Sequence, residues 1–389
     1  MVELSLSSAD VEAPAPPSPR AEAAKELQAS PSTPARSGGL FSCCLRVVAA
    51  PPGSPQALRA SGSNAGAFAS NCLAIDPVSF LRVKGRGAQA LVQGLSSTVA
   101  DQQAQAAGCA ALRRLARHAV GREAVGNAGG VAALLKAVEA HPGCARVLQE
   151  AWAAVAALAL SGELEASLVR AGALEAAVRS LATLADHPRV VEATACALRN
   201  LCGSRDSQAA ALAAGVLPAL VAALRAHVPR EACLVALLGA LRNACAHAKA
   251  KAPAAQAGAI DATLAALRAW PASAEVQAHG LGALWSLAGL PANKVRCAGA
   301  GALDDILKAL REHPKAGQVQ EAGLAALASL VWSNAAYKER ARQAGAAALA
   351  DAALEAFPEH QAVRAHASEV LSKLHSSIDP FGDSFMPNM

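Results

Sequence analysis

The sequence predicts an all-α solenoid, a stack of repeated helical units, and three observations predict it. Much of the string Thr194-Ala195-Cys196-Ala197-Leu198-Arg199-Asn200-Leu201-Cys202 returns 43 residues later, where Leu241, Arg242 and Asn243 stand in the places of Leu198, Arg199 and Asn200. A glycine opens each unit at Gly129, Gly172, Gly215, Gly258, Gly301 and Gly345, with spacings of 43, 43, 43, 43 and 44. Apolar residues between these landmarks recur at helical spacing in a chain that is 53% hydrophobic and 3% aromatic, with alanine filling much of the difference. Alanine is the best helix former and lets helices lie close together.

The elements follow in order. Residues 1–70 are rich in Pro, Ser, Ala and Gly without apolar periodicity, so they are expected to be a disordered tail. Within it Ser18, Ser30, Thr33 and Ser54 each precede a proline and fit proline-directed phosphorylation. Its apolar island, Leu40 to Val48, holds the adjacent Cys43 and Cys44, candidates for S-acylation and thus weak lipid anchoring. The repeat domain is expected over 71–375. Helical patterning starts at Ile75, with Asp76 as N-cap and Pro77 in the first turn. Leu91, Val92, Leu95 and Ala110 to Leu115 supply the second and third helices of a divergent N-terminal repeat, in which Arg86 stands where glycine is expected; a worn terminal unit suits a cap whose outer face meets water.

About six full repeats then begin near 128, 171, 214, 257, 300 and 344. In the third of these a first helix covers Ser207 to Ala213, a second Leu217 to His227 and a third Glu231 to Ala246, with glycine at the first corner because it takes positive φ without steric cost. His141-Pro142, His187-Pro188, Trp270-Pro271, His313-Pro314 and Phe357-Pro358 fall between second and third helices, where proline is expected to open the next helix. Residues 376–389 are expected to be a flexible C-terminal tail.

Composition excludes several functions. A net charge of +5 is mild, and with few aromatics there is no base-stacking platform, so no nucleic acid partner is expected. Ten cysteines include no CxxC pair, and Cys202 and Cys245 are repeat-equivalent; they read as buried thiols of a reducing, cytoplasmic setting, with no metal site or disulfide frame. No apolar run is long enough to span a bilayer, and the N-terminus lacks signal-peptide character. Phosphate-loop, HExxH, GxSxG and kinase patterns are absent, and Gly85-Arg86-Gly87-Ala88-Gln89-Ala90 fits GxGxxA without the preceding strand. No enzyme and no cofactor are expected. Glu175 with Arg179 and Asp304 with Lys308 read as i,i+4 pairs on a wet face.

The 43-residue unit with its short first helix, and the strings Leu198-Arg199-Asn200-Leu201 and Leu241-Arg242-Asn243-Ala244, resemble the armadillo repeat of importin alpha and beta-catenin. The resemblance covers about residues 86–375 and implies a right-handed superhelix. Its third helices would line a concave groove, where Asn200 and Asn243 would grip the backbone of an extended peptide, since an amide offers a donor and an acceptor together, or would instead cap or bridge neighbouring helices. The same register holds Arg113-Arg114, Ala156-Ala157, Trp285-Ser286, Ala328-Ser329 and Ser372-Lys373. The indole that precedes the asparagine by four residues in importin alpha is here Cys196, Gly239, Gly282 and Ala325, which argues against a nuclear transport adaptor. Arg113, Arg114, Arg199 and Arg242 favour an acidic or neutral partner. Trp285, with Ser286 beside it, is either a groove anchor or inter-repeat packing; Trp152 falls off the groove register and reads as core.

The expected function is a non-enzymatic protein-interaction scaffold or adaptor. An alternative rests on the C-terminal tail: Asp379-Pro380-Phe381 and Phe381-x-Asp383-x-Phe385 resemble short motifs by which endocytic accessory proteins bind clathrin-adaptor appendages.

Overall fold

The six landmark glycines each stand at the N-cap of a second helix with positive φ, from 74° at Gly215 to 89° at Gly258. Any other residue there costs roughly 1–2 kcal/mol of backbone strain. At Gly258 the penalty is compounded, because an added Cβ would lie 2.0 Å from the Arg225 guanidinium, which donates to the Ala257 carbonyl.

The computed structural model describes residues 64–73, 86–331 and 335–376, and among them are 21 α-helices and no strand. Helix α1 (Asn64–Leu73) precedes the pair α2 (Arg86–Ser97) and α3 (Gln102–Ala116). Three-helix units follow: α4 (Ala119–Asn127), α5 (Gly130–Ala140), α6 (Ala145–Leu158); α7 (Gly162–Arg170), α8 (Ala173–Thr183), α9 (Pro188–Leu201); and α10 (Arg205–Ala213), α11 (Val216–Ala226), α12 (Glu231–Ala244). Next come α13 (Lys251–Gln256), α14 (Ala259–Ala269), α15 (Ala274–Leu287); α16 (Pro291–Gly299), α17 (Ala302–Glu312), α18 (Gly317–Val331); and α19 (Ala335–Gln343), α20 (Ala346–Ala356), α21 (Gln361–His375). Third helices pack in sequence, α3 on α6 through to α18 on α21, and second helices form a parallel row behind them. The expected bounds in the 205–246 unit hold to within two residues.

Helix α1 lies in the stretch expected to be tail. Ala65, Phe68, Ala69 and Cys72 repeat at i, i+3, i+4 and i+7, and that short apolar stripe packs on α3 in the place of a preceding third helix. Phe68 fills the space beside Gly94 and Gly108, where added Cβ atoms would lie 2.0 and 3.2 Å from its ring. The Arg114 guanidinium donates to the Cys72 carbonyl. Asp76 and Pro77 lie outside the described residues.

The corners between second and third helices depart from the sequence expectation. Of these five prolines only Pro188 opens a helix; Pro142, Pro271, Pro314 and Pro358 sit in turns three positions before the third helix begins. The repeat-equivalent corner residues are the C-caps His141, Leu184, His227, Trp270, His313 and Phe357, whereas His187 is an N-cap. A ring nitrogen at four of them reaches a carbonyl 42 residues back: His141 to Val99 at 2.6 Å, His227 to Ala185 at 2.8 Å, Trp270 to Val228 at 2.7 Å and His313 to Pro271 at 2.7 Å. A carbonyl only accepts, so each histidine must carry its proton on Nε2. Gln105, Gln277 and Gln320 donate to the carbonyls of Leu95, Leu267 and Leu310, which satisfies otherwise orphaned groups at second-helix ends.

Trp152 is fully buried, as expected, with its indole N–H donating to Ser180 Oγ at 3.0 Å. Asp304 pairs with Arg340 of the next unit at 2.6 Å; among the described residues no Asp304–Lys308 ion pair forms, and Lys308 faces Glu312 at 3.9 Å.

Candidate functional site

The third-helix face carries the groove residues expected from sequence, but their roles divide. At one register three polar side chains donate backward to the preceding third helix: Asn200 Nδ2 to the Ala156 carbonyl at 2.8 Å, Asn243 Nδ2 to the Arg199 carbonyl at 2.8 Å, and Lys373 to the Ala328 carbonyl at 3.2 Å, while Ser329 donates to the Ala325 carbonyl of its own helix at 3.0 Å. The carbonyls at the ends of these helices lack intrahelical partners, and a side chain one unit on supplies the proton. Asn200 is buried and its Oδ1 has no hydrogen-bond partner. Its amide is therefore engaged between helices and does not present a donor and acceptor side by side to solvent. Asn243 is half-buried and keeps one amide proton beyond this bond. The Ser286 carbonyl likewise accepts from Lys251 Nζ.

The arginines divide as well. Arg113 on α3 pairs with Glu150 on α6 at 2.8 Å with both side chains about 15% exposed, so its charge is matched within the protein. Arg114 is committed to Cys72. These two do not form the free cationic lining expected of them. Arg199 and Arg242 instead lie across glycines of the next third helix. A Cβ at Gly239 would fall 2.8 Å from Arg199 Cδ, and one at Gly282 would fall 2.8 Å from Arg242 Cδ and 3.0 Å from its Nε. Each arginine stem thus occupies a notch that only glycine leaves open. Arg199 ends 6% exposed, far more buried than an open groove predicts, while Arg242 is half-buried.

His279 of α15 lies beside both, its Nδ1 3.5 Å from the place of a Gly239 Cβ. The ring is 4% exposed, and its Nδ1 is buried without a hydrogen-bond partner. Burial, reinforced by the Arg199 and Arg242 charges, holds its pKa down at about 3, so the ring is neutral at physiological pH. Burial also lowers the Arg242 pKa, against the opposing charge of Glu321 on α18. Guanidinium groups do not deprotonate in proteins, so both arginines stay cationic.

One unit further along, Trp285 of α15 is half-buried and meets the His366 ring of α21 edge-on, centroids 5.4 Å apart at 72°. Between α15 and α21 stands α18, whose Ala325 and Ala328 are buried and small. The face therefore has a cationic part and an aromatic part. His279, Glu321, Glu150 and His366 were not singled out in the sequence, since none recurs at the repeat spacing. The Gly239–Gly282 pair, 43 residues apart, carried the one legible sign of the notches.

Among the described residues no group of three or more His, Cys, Asp or Glu side chains is placed to hold a metal. No single described helix is long and apolar enough to cross a membrane, although α10 and α11, bent by 77° between them, pass jointly on length and composition. Burial raises the thiols of Cys202 and Cys245 to about 12 and that of Cys233 to about 11. Ser18, Ser30, Thr33, Ser54, Cys43, Cys44, Asp379, Pro380, Phe381, Asp383 and Phe385 lie outside the described residues.

No protein-family model and no curated protein matches the sequence. Solved structures do match. An engineered protein superposes with a TM-score of 0.68 at 23% identity, over 80% of this chain and 74% of its own. A chain from a structure of the cadherin–beta-catenin interaction, which a conserved phosphorylation switch controls, gives a TM-score of 0.65 at 20% identity over 80% of this chain. This chain spans 60% of that one. A designed armadillo repeat protein is matched at a TM-score of 0.46 and 21% identity, over 74% of this chain and 99% of its own.

Proposed function

From the premise that this chain is an armadillo-type repeat solenoid, we propose that it is a non-enzymatic scaffold holding an extended, acidic or neutral protein segment along its third-helix face. The observation that carries the reading is the seating of Arg199 and Arg242 in the Gly239 and Gly282 notches, which fixes two guanidinium groups on successive units of one face. Fixed, partly desolvated cations pair with carboxylates more strongly than mobile surface ones. Fold alone does not assign a partner. The beta-catenin structure supports protein binding as the general role, since that protein engages cadherin. A basic nuclear-transport cargo is disfavoured: of the four positions where importin alpha has indole walls, two are the glycines on which arginines lie and the others are Cys196 and Ala325.

The test is direct. A fluorescein-labelled peptide of alternating Glu and Ser binds the full chain with salt-dependent affinity, and Arg242→Glu abolishes binding without changing the melting temperature, while Lys308→Glu on α17 leaves it intact. Equal binding of an alternating Lys and Ser peptide, or indifference to Arg242→Glu, overturns the reading.

A second reading rests on the DPF and FxDxF strings at Asp379 to Phe385, which place two of the chain's six phenylalanines in a short polar segment. It makes the protein an accessory factor of membrane traffic, tested by whether deleting 379–385 removes capture by a purified clathrin-adaptor appendage domain.

A further inference from the structure

The first helices change in charge along the chain. In α4, α7 and α10 the charges nearly cancel: Arg122 stands against Glu123, Arg170 against Glu163 and Glu165, and Arg205 against Asp206. From residue 248 onward they do not. Lys249 and Lys251 on the turn before α13 and on α13, Lys294 and Arg296 on α16, and Lys338, Arg340 and Arg342 against Glu339 on α19 leave two positive charges in excess on each of the last three units.

Part of this excess is matched locally, since Arg340 pairs with Asp304 at 2.6 Å and Arg342 with Glu339 at 3.2 Å. Among the described residues Lys249, Lys251, Lys294, Arg296 and Lys338 have no carboxylate partner. Lys251, Arg296 and Lys338 donate to backbone carbonyls, which orients them without neutralising them. Lys294 is half-buried, and burial together with the neighbouring Lys373 charge lowers its pKa, the mark of an ammonium short of counter-charge. Between Lys294 and Arg296, Val295 stands 72% exposed.

The chain leaves its last described helix at this same edge. Lys338 of α19 donates to the Ser376 carbonyl and, at 3.1 Å, to its hydroxyl, and Arg342 Nε donates to the Leu374 carbonyl at 2.8 Å. Residues 377–389 hold Asp379 and Asp383, two phenylalanines, Phe381 and Phe385, and no lysine, arginine or histidine. From these juxtapositions we infer that the segment Asp379 to Phe385 docks on the basic first-helix edge of its own chain, its aspartates received by Lys294 and Arg296 of α16 and a phenylalanine by Val295.

Reach permits it. Phe381 lies five residues beyond Ser376, about 17 Å of extended chain, and successive units are about 10 Å apart, so α16 is within range. Tethering supplies the strength that exposed ion pairs lack: each contributes about 1 kcal/mol or less, but a short tether holds the segment at millimolar effective concentration. The inference concerns the first helices and does not depend on the groove reading. A segment so docked is withheld from other partners until salt or a competing anion releases it.

Chymotrypsin cuts after phenylalanine, so cleavage of the full chain after Phe381 and Phe385, followed by intact mass, reports whether the segment is held. At low salt the expected rate is about three- to tenfold below that of a synthetic 377–389 peptide. The difference is lost at high salt and in Lys294→Glu/Arg296→Glu. It returns when that double variant is combined with Asp379→Lys/Asp383→Lys, measured against a peptide with the same two substitutions. Protection that survives Lys294→Glu/Arg296→Glu puts the segment elsewhere and overturns the inference. Equal rates for wild type and peptide also overturn it, and if phosphatidylserine vesicles then bind wild type and not the double variant, the occupant of this edge is an anionic lipid surface.

Discussion

The two arginine notches allow a paired test in which one variable differs. Gly239→Ala and Gly282→Ala each add a methyl group that would lie 2.8 Å from an arginine Cδ, too close to be tolerated without movement. Each also gains about 1 kcal/mol of helix propensity. What separates them is the freedom of the displaced side chain. Arg242 is half-buried and has solvent to swing into, so Gly282→Ala is expected to change stability by between zero and about +1 kcal/mol. Arg199 is 6% exposed and the added methyl also meets His279 Nδ1 at 3.5 Å, so Gly239→Ala overpacks a closed site, at a cost of roughly 1–3 kcal/mol before the propensity gain. The net expectation is a loss of up to about 2 kcal/mol there, and a difference between the variants of about 1–2 kcal/mol. Local opening free energies of α12 and α15, read by native-state amide hydrogen exchange, resolve differences of this size in a repeat protein whose global melting is not all-or-none. Equal stabilisation by both alanines would refute the claim that Arg199 is locked in its notch.

Acid sensitivity should trace in part to His279. Its folded pKa of about 3 lies below the unfolded value near 6.5, so as pH falls below 6.5 the unfolded chain takes a proton that the folded chain refuses, and stability drops down to about pH 3. At pH 5 this amounts to about 2 kcal/mol, which His279→Gln should eliminate; parallel pH–stability curves for the two proteins would contradict it. Ser180→Ala strands the buried Trp152 N–H and should cost about 1–3 kcal/mol in denaturant unfolding, largely recovered in the Trp152→Phe background. Among the described cysteines, half-exposed Cys144 should be alkylated first at pH 8, and Cys202 and Cys245, whose thiols burial raises to about 12, only on unfolding; mass mapping of a timed iodoacetamide reaction gives the order.

The periodic features of the molecule were readable from the chain, because repetition makes a local rule visible many times. Glycine every 43 residues announced a backbone corner, and the positive φ at all six sites follows from it. The groove chemistry was less legible. Whether an arginine lines a groove or is consumed depends on what stands 37 to 42 residues away, and Glu150 and Cys72 have no recurring counterparts that would have advertised them. The histidines misled for a related reason. A His-Pro string draws the eye to position 187, yet the repeating corner position is 184, occupied by leucine. Helix α1 went unread because a single ten-residue stripe, lying in Ala- and Ser-rich sequence, gives no second copy for comparison.

Leucine at 184 and phenylalanine at 357 have no ring nitrogen, so two of the six corners lack the polar fastening that His141, His227, Trp270 and His313 provide. The tie between neighbouring units is consequently uneven: the corners at 227, 270 and 313 fasten the units that carry Arg199, Arg242, His279 and Trp285, whereas at 184 and 357 the joint is left to third-helix bonds such as those of Asn200 to Ala156 and Lys373 to Ala328.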